Sequence, residues 1–351
     1  MNDQPSPAVV AARTRSVATC MAARQDNFLL LRFIAASLVI FGHSWAIGVN
    51  PTGETDWLGQ QTKLFSGTLA VHIFFFISGF MVTMSYERRH SLSAFAKARL
   101  LRIFPALFVC VSVTALVLGP LVSDLPLAQY FGDAQWRRYL KVNALLVHTE
   151  FNLPGVFANN PYPHIVNGSL YTIPGEIQMY LYVALLGMLG LLRSRRKFAL
   201  ALAALVLLAL FFRPPLQMLS QQEFYAFAGF FAVGAICWMY RQQLPVNGYL
   251  LIALLLACKL PSNPQEYLLV LAATTIYASL WFVFVPGLQG FNRCGDYSYG
   301  LYLYGFVVQQ TIAAGFPQFG PYQLFAASFP LALLLAMASW HWVEKPMLRL
   351  K

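Results

Sequence analysis

Residues 28–49 read FLLLRFIAASLVIFGHSWAIGV, an apolar run broken by Arg32 and His43. A helix needs roughly 20 residues to cross a hydrocarbon core about 30 Å thick, and this run has that length. An ionisable side chain at bilayer depth is costly and normally marks a site. Arg32 and His43 are eleven positions apart, so a helix places them about 20° apart on one face and about 16 Å apart along the axis. One segment therefore predicts a membrane span with a cation near one end and an imidazole toward the other. The plainer alternatives are that Arg32 snorkels to lipid phosphates and that His43 hydrogen-bonds within a bundle.

The rest of the chain extends this reading. Of 351 residues, 58% are hydrophobic and 11% charged, too little polar surface for a soluble globule of this size. Comparable segments recur at 67–86, 103–122, 168–192, 198–213, 223–240, 247–260, 267–286, 297–316 and 322–343, which predicts an all-α polytopic bundle of about ten spans. The net charge of +11 would suggest nucleic acid in a soluble protein. Here the basic residues sit in short gaps between apolar runs, the pattern that sets membrane orientation, so no nucleic-acid partner is expected.

Residues 139–149 (YLKVNALLVHT) are too short to span and carry Lys141 and Asn143. With that stretch left outside the count, all of the 24 basic residues except Lys63, Arg137, Arg138, Lys141, Arg213 and Lys259 fall on one side, which puts both termini in the cytoplasm. The domain plan is then a polar cytoplasmic tail over 1–27, with Arg13, Arg15 and Arg24, a membrane domain over 28–346 with lipids as its solvent, and a short tail over 347–351. The outer loop, 123–166, mixes Tyr130, Trp136, Tyr139, Phe151, Phe157, Asn159, Asn160, Tyr162 and His164. That mixture suits a surface that stacks on sugar rings, and it suits an interfacial aromatic belt equally well. Cys20, Cys110, Cys237, Cys258 and Cys294 lack paired spacing, so neither a metal cage nor a disulfide framework is expected.

Further polar groups enter the spans. His72, in LAVHIFFFISGF, and Glu176, in NGSLYTIPGEIQMYLY, both lie about 9–12 Å inside when counted from the expected outer ends of their helices, as does His43. A carboxylate bonded to an imidazole raises its basicity, which makes His43 with Glu176 a candidate general-base dyad. The alternatives are a bundle hydrogen bond for His72 and a structural ion pair for Glu176. Ser78, Asn167 and Tyr171 join His72 as candidate lining of the substrate pocket. At the inner side, Arg88, Arg89, Lys97, Arg99 and Arg102 cluster, with Arg99 and Arg102 at helical spacing i, i+3. Such a cluster can grip a multiply phosphorylated donor such as coenzyme A, or can serve as plain membrane anchoring.

These motifs together resemble acyltransferase family 3 over about residues 27–346. The marks are Arg32 and His43 at Arg-x10-His spacing; FFFISGF at 74–80, with RLLR at 99–102 and Pro105; NGSLYTIPGEIQMYL at 167–181; CGDYSYGLYLYGF at 294–306; and SWHWVEKPM at 339–347. Two departures are visible: Tyr171 stands where the family commonly has Trp, and Gly305 where many members have His. The resemblance implies an integral protein of the bacterial inner membrane. It implies an acyl-CoA donor, acetyl-CoA above all, that binds as a substrate and not as a resident cofactor. The acceptor implied is a hydroxyl of an envelope or exported glycan, such as an O-antigen, an exopolysaccharide or a lipid-linked precursor, handled beside the polysaccharide-synthesis machinery. Arg32, Arg99 and Arg102 then bind the donor, and His43 and Glu176 carry the catalysis, without a metal. The rival reading is a transporter or flippase for a lipid-linked sugar, because intramembrane charges also suit a transport path.

Overall fold

In an apolar solvent every backbone polar group must be satisfied within its own segment, so a chain of this composition is driven to helices. The computed structural model describes residues 15–23, 26–146, 148–211 and 221–351. Arg13, Arg24, Arg213 and most of the expected tail over 1–27 lie outside the described residues. Among the described residues there is no strand, only two isolated bridges, Ser16 to Pro245 and Ser123 to Val156.

The main helices are α1 (Phe28–Ile47), α2 (Ser66–Arg89), α3 (Leu92–Val113), α4 (Leu127–Gly132), α5 (Gln135–Leu145), α6 (Ile173–Met188), α7 (Arg195–Phe211), α8 (Gln221–Met239), α9 (Gly248–Ala257), α10 (Pro264–Val283), α11 (Ser298–Gly315) and α12 (Pro321–Ser339). A π turn, Thr114–Leu118, carries α3 on to Val122, and a second, Trp340–Glu344, carries α12 on to Leu348. By length and composition, five of these rods can cross a membrane: Phe28–Ile47, Ser66–Arg89, Leu92–Val122, Pro264–Val283 and Pro321–Leu348. Each of the ten expected segments is helical. The one at 247–260 is corrected, however: α9 has 10 residues, about 15 Å of helix, half of a crossing. Pro261 and Pro264 follow it, and proline cannot continue the hydrogen-bond ladder. Leu207, Leu256 and Leu269 stand exposed on the periphery of α7, α9 and α10, as lipid-facing side chains do.

Close helix contact replaces hydrophobic pull between rods in a bilayer, and small residues permit it. A Cβ on Gly79 of α2 would stand 1.9 Å from the Phe231 carbonyl oxygen of α8, and one on Gly234 of α8 would stand 2.1 Å from the Phe76 carbonyl oxygen of α2. On α11, a Cβ at Gly305 would meet Ile40 Cγ1 of α1 at 2.6 Å, so this chain has no room there for the family's histidine.

The loop over 123–166 folds down into the bundle. Tyr130 is fully buried and its hydroxyl donates to the Ala115 carbonyl within the first π turn, 2.7 Å. Tyr139 and Phe157 are buried too. Asn160 Nδ2 donates to Gln310 Oε1 at 2.8 Å, while Gln310 Nε2 donates back to the Tyr162 and Ile165 carbonyls. The expected sugar-stacking surface is therefore largely interior, leaving Asn159, Tyr162 and His164 exposed. Buried amides that pair with one another satisfy the cost that would otherwise keep them at the surface.

Candidate active site

Arginines spaced i, i+3 on α3 point one way, and the neighbouring elements close around them. The result is a cavity of about 570 Å³ between α2, α3, α6, α11 and the helix end after α12. Arg32, Arg88, Arg89, Arg99, Arg102 and Lys351 line it, against only two carboxylates, Asp296 and Glu176. Buried cations need compensation. Asp296, just before α11, supplies it: its Oδ2 accepts from Arg32 Nη1 at 2.6 Å and from Arg102 Nη2 at 2.7 Å, and Ser298 Oγ donates to its Oδ1 at 2.6 Å. Burial opposes ionisation of Asp296, but the Arg102 and Arg32 guanidiniums outweigh it and hold the carboxyl well below the usual carboxylate range. The π turn at 340–344 rotates buried Glu344 toward Arg102, with its Oε2 3.6 Å from Nη1, and Ser339 Oγ donates to its Oε1 at 3.0 Å.

Arg99 differs from its neighbours. It makes no ion pair among the described residues, its Nε is buried without a hydrogen-bond partner, and its guanidinium lies 5.6 Å over the Tyr180 ring. At the rim, burial and the nearby charges of Arg99, Arg102 and Arg89 push the Lys351 amine down to about 8. Phosphate oxygens are the natural partners for such a set.

Deeper in, Glu176 Oε1 accepts from Ser78 Oγ at 3.1 Å and from the Tyr180 hydroxyl. Ser78 lies six residues beyond His72 on α2, so Glu176 sits about 9 Å nearer the basic end than His72 does. His43 lies elsewhere. Its ring is 5.0 Å from Phe306, edge to face, and 6.0 Å from Phe65, and its Nδ1 is buried with no partner. It lines neither this cavity nor a second one, also of about 570 Å³, at the other end of α1, where Trp45, Asn50, Glu54, Thr55, Phe65 and Pro161 line the walls.

Of the expected site residues, Arg32, Arg99, Arg102, Glu176 and Ser78 meet around one cavity, while His43, His72, Asn167 and Tyr171 do not line it. No hydrogen bond joins His43 to Glu176, and the shared level expected for them is corrected. Asn167 Nδ2 donates to the Leu303 carbonyl at 2.9 Å, only five residues into α11, so the tight 3₁₀ turn Gly168–Thr172 that leads into α6 begins deep in the bundle. Counting depth from that turn as if it lay at the surface lifted Glu176 too high. His72 stacks on Phe230 of α8 at 4.2 Å, and Tyr171 lies 6.4 Å from Phe227 of the same helix.

Three functional groups escaped the sequence reading: Asp296, Glu344 and Tyr180. Asp296 and Glu344 lie inside quoted motifs, and a surplus of buried arginines demands acids somewhere. Tyr180 is one helical turn from Glu176, the spacing at which side chains meet.

Cations gathered at one mouth of an intramembrane cavity, with a carboxylate and hydroxyls farther in, mark an integral membrane protein with a basic internal site. The chain belongs to acyltransferase family 3, whose acyltransferase domain it matches over residues 26–341. It is 29% identical over 344 residues to an O-acetyl transferase of Shigella phage Sf6, covering 92% of this chain and 96% of that one. It is 27% identical over 364 residues to Nodulation protein 10 of Rhizobium leguminosarum bv. viciae, covering 93% and 94%. No solved structure matches the chain.

Proposed function

We propose that the protein moves an acyl group, acetyl foremost, from cytoplasmic acyl-CoA to a hydroxyl of an envelope or exported polysaccharide at the bacterial inner membrane. The observation that carries this reading is the cation-lined cavity at the basic end of the bundle. The positive-inside bias puts that end in the cytoplasm, where acyl-CoA is found. The donor phosphates lie against Arg99, Arg88, Arg89 and Lys351. Arg32 and Arg102, locked on Asp296, form the cavity wall beside the pantetheine. The acyl thioester points along α1 toward His43.

An imidazole with a free ring nitrogen, left buried and unpaired, is suited to receive the proton of an incoming hydroxyl. His43 takes that proton, the acceptor oxygen attacks the thioester carbonyl carbon, and the C–S bond breaks. The thiolate leaves with the proton returned from His43. Glu176, bonded to Ser78 and Tyr180, shapes the donor cavity at the level between Arg32 and His43. The acceptor approaches through the second cavity, beyond Phe65. The phage relative's name supports acetyl as the group, and work beside the polysaccharide-synthesis machinery, on a lipid-linked or finished glycan, follows from that outward position.

The test is transfer of labelled acetyl from acetyl-CoA into envelope polysaccharide, by membranes holding wild type or His43→Ala. Transfer in wild type that vanishes in the variant is the expected result. Equal transfer in both would remove His43 from the chemistry. Donor binding without any transfer, joined to movement of lipid-linked sugar across vesicles, would favour the transporter reading, which the two cavities at opposite ends of α1 also suit.

A further inference from the structure

The donor cavity stops short of His43, and the layer that stops it is well defined. Val71, Phe74, Thr172, Ile173 and Tyr302 line the cavity at that end. The hydroxyls of Thr172 and Tyr302 share a hydrogen bond of 2.5 Å, and both residues are buried. Phe74 meets the Tyr302 ring edge to face at 5.9 Å. One turn farther along α11, Phe306 packs on His43; four residues before Thr172, a Cβ on Gly168 would stand 2.7 Å from the Phe306 ring. Residues 172 and 302 thus face the donor, and residues 168 and 306 face the imidazole. Between the donor cavity and the imidazole stand the Thr172–Tyr302 pair and the Phe306 ring.

That layer has one weak seam. Aromatic contacts hold most of it, whereas Thr172 and Tyr302 are joined by one bond between neutral hydroxyls, which an incoming acceptor hydroxyl can replace one for one at small net cost. We infer that Tyr302, held by Thr172, is a specificity-determining residue that makes the protein choose a sugar hydroxyl over water. The inference rests on the acyl transfer proposed above. Hydrolysis and transfer need the same events: an oxygen loses its proton to His43, bonds to the carbonyl carbon, and the carbonyl electron pair moves to oxygen. The pair then returns as the C–S bond breaks and the thiolate takes the proton from the imidazolium. With the layer closed, base and carbon lie on opposite sides. A bound glycan supplies binding energy to open it, and a water molecule supplies almost none.

The experiment uses the full-length protein in nanodiscs with acetyl-CoA. Release of the coenzyme A thiol is followed without acceptor, and then with envelope polysaccharide from a strain lacking the protein. Tyr302→Phe and Thr172→Val remove the bond while keeping the bulk. The expected result in both is a rise of roughly tenfold in acceptor-independent thiol release, about the worth of one neutral hydrogen bond. Acetyl-CoA affinity stays within about twofold of wild type, since neither hydroxyl holds a charged group. Adding His43→Ala to Tyr302→Phe should abolish the extra release. Unchanged partition between water and glycan in both single variants would overturn the inference, as would extra release that survives the loss of His43. A wild type that binds no acetyl-CoA would instead defeat the underlying acyl-transfer reading.

Discussion

The two ends of α1 each bury a nitrogen base, and they treat it in opposite ways. Arg32 has a carboxylate oxygen 2.6 Å away, shared with Arg102 and braced by Ser298. His43 has two aromatic rings for neighbours and an Nδ1 with no partner. A guanidinium stays charged at any accessible pH, so it must be compensated before the helix can fold into a membrane. A neutral imidazole carries no such demand, and its unpaired nitrogen is left for a substrate. One end of the helix is a compensated electrostatic network; the other is an imidazole whose Nδ1 makes no hydrogen bond among the described residues.

The largest expected effect breaks the reserved end alone. His43→Ala should reduce labelled acetyl transfer by about 10² to 10⁴, the usual worth of a general base, while acetyl-CoA affinity measured by calorimetry stays within about twofold. Loss of donor binding in that variant would erase the contrast between the ends. Next, Asp296→Asn strips the network of its shared acid, leaving the half-buried Arg32 guanidinium uncompensated and Arg102 with Glu344 alone. Removing one partner of a buried pair costs about 3–5 kcal/mol, so the detergent-solubilised protein should melt well below wild type and recover in part with coenzyme A. An unshifted melting curve would show that the network is not what neutralises this end.

Arg99→Ala sharpens the division within the basic end, because Arg99, unlike the exposed Arg88 and Arg89, is half-buried and yet makes no ion pair among the described residues. Donor affinity should fall about 10- to 100-fold, the worth of hydrogen bonds to a charged group, with the rate at saturating donor near wild type. A fall in rate at unchanged affinity would move Arg99 from grip to chemistry. The smallest effect concerns Lys351. Its amine is pushed down to about 8, so the cation is present below that pH and lost above it. Donor binding should weaken up to about fivefold as pH rises through 8, the range of an exposed ion pair. Lys351→Gln should flatten that limb, and a limb that persists would assign the titration to another group.

Much of this was legible in the chain. The apolar run with Arg32 and His43 is a helix as expected, and among the described residues each of the ten segments read from hydropathy is helical. The clustering of Arg99 and Arg102 followed from charge and spacing, while their meeting with Arg32 around one cavity was implied by the family resemblance. What failed to show was depth and neighbourhood. Glu176 was set too high because a 3₁₀ turn starts far inside the bundle, and hydropathy does not distinguish a surface start from a buried one. Tyr130 and Asn160 have the composition of a sugar platform and of a folded plug alike; only their partners, Ala115 and Gln310, decide. Asp296 and Glu344 were in view as motif letters, but their role depends on a loop and a π turn that bring distant residues onto Arg102.

The interlocked glycines of α2 and α8 carry a mechanical consequence. Backbone pressed against backbone at Gly79 and Gly234 leaves no slack for sliding or rotation, so these two helices form one stiff wall. The facing wall, α6 and α11, is joined through the 3₁₀ turn Gly168–Thr172, whose hydrogen-bond geometry is poorer than an α-helix's. A side chain added at either glycine would therefore have to push α2 and α8 apart, whereas the 3₁₀ turn on the facing side carries no such backbone lock.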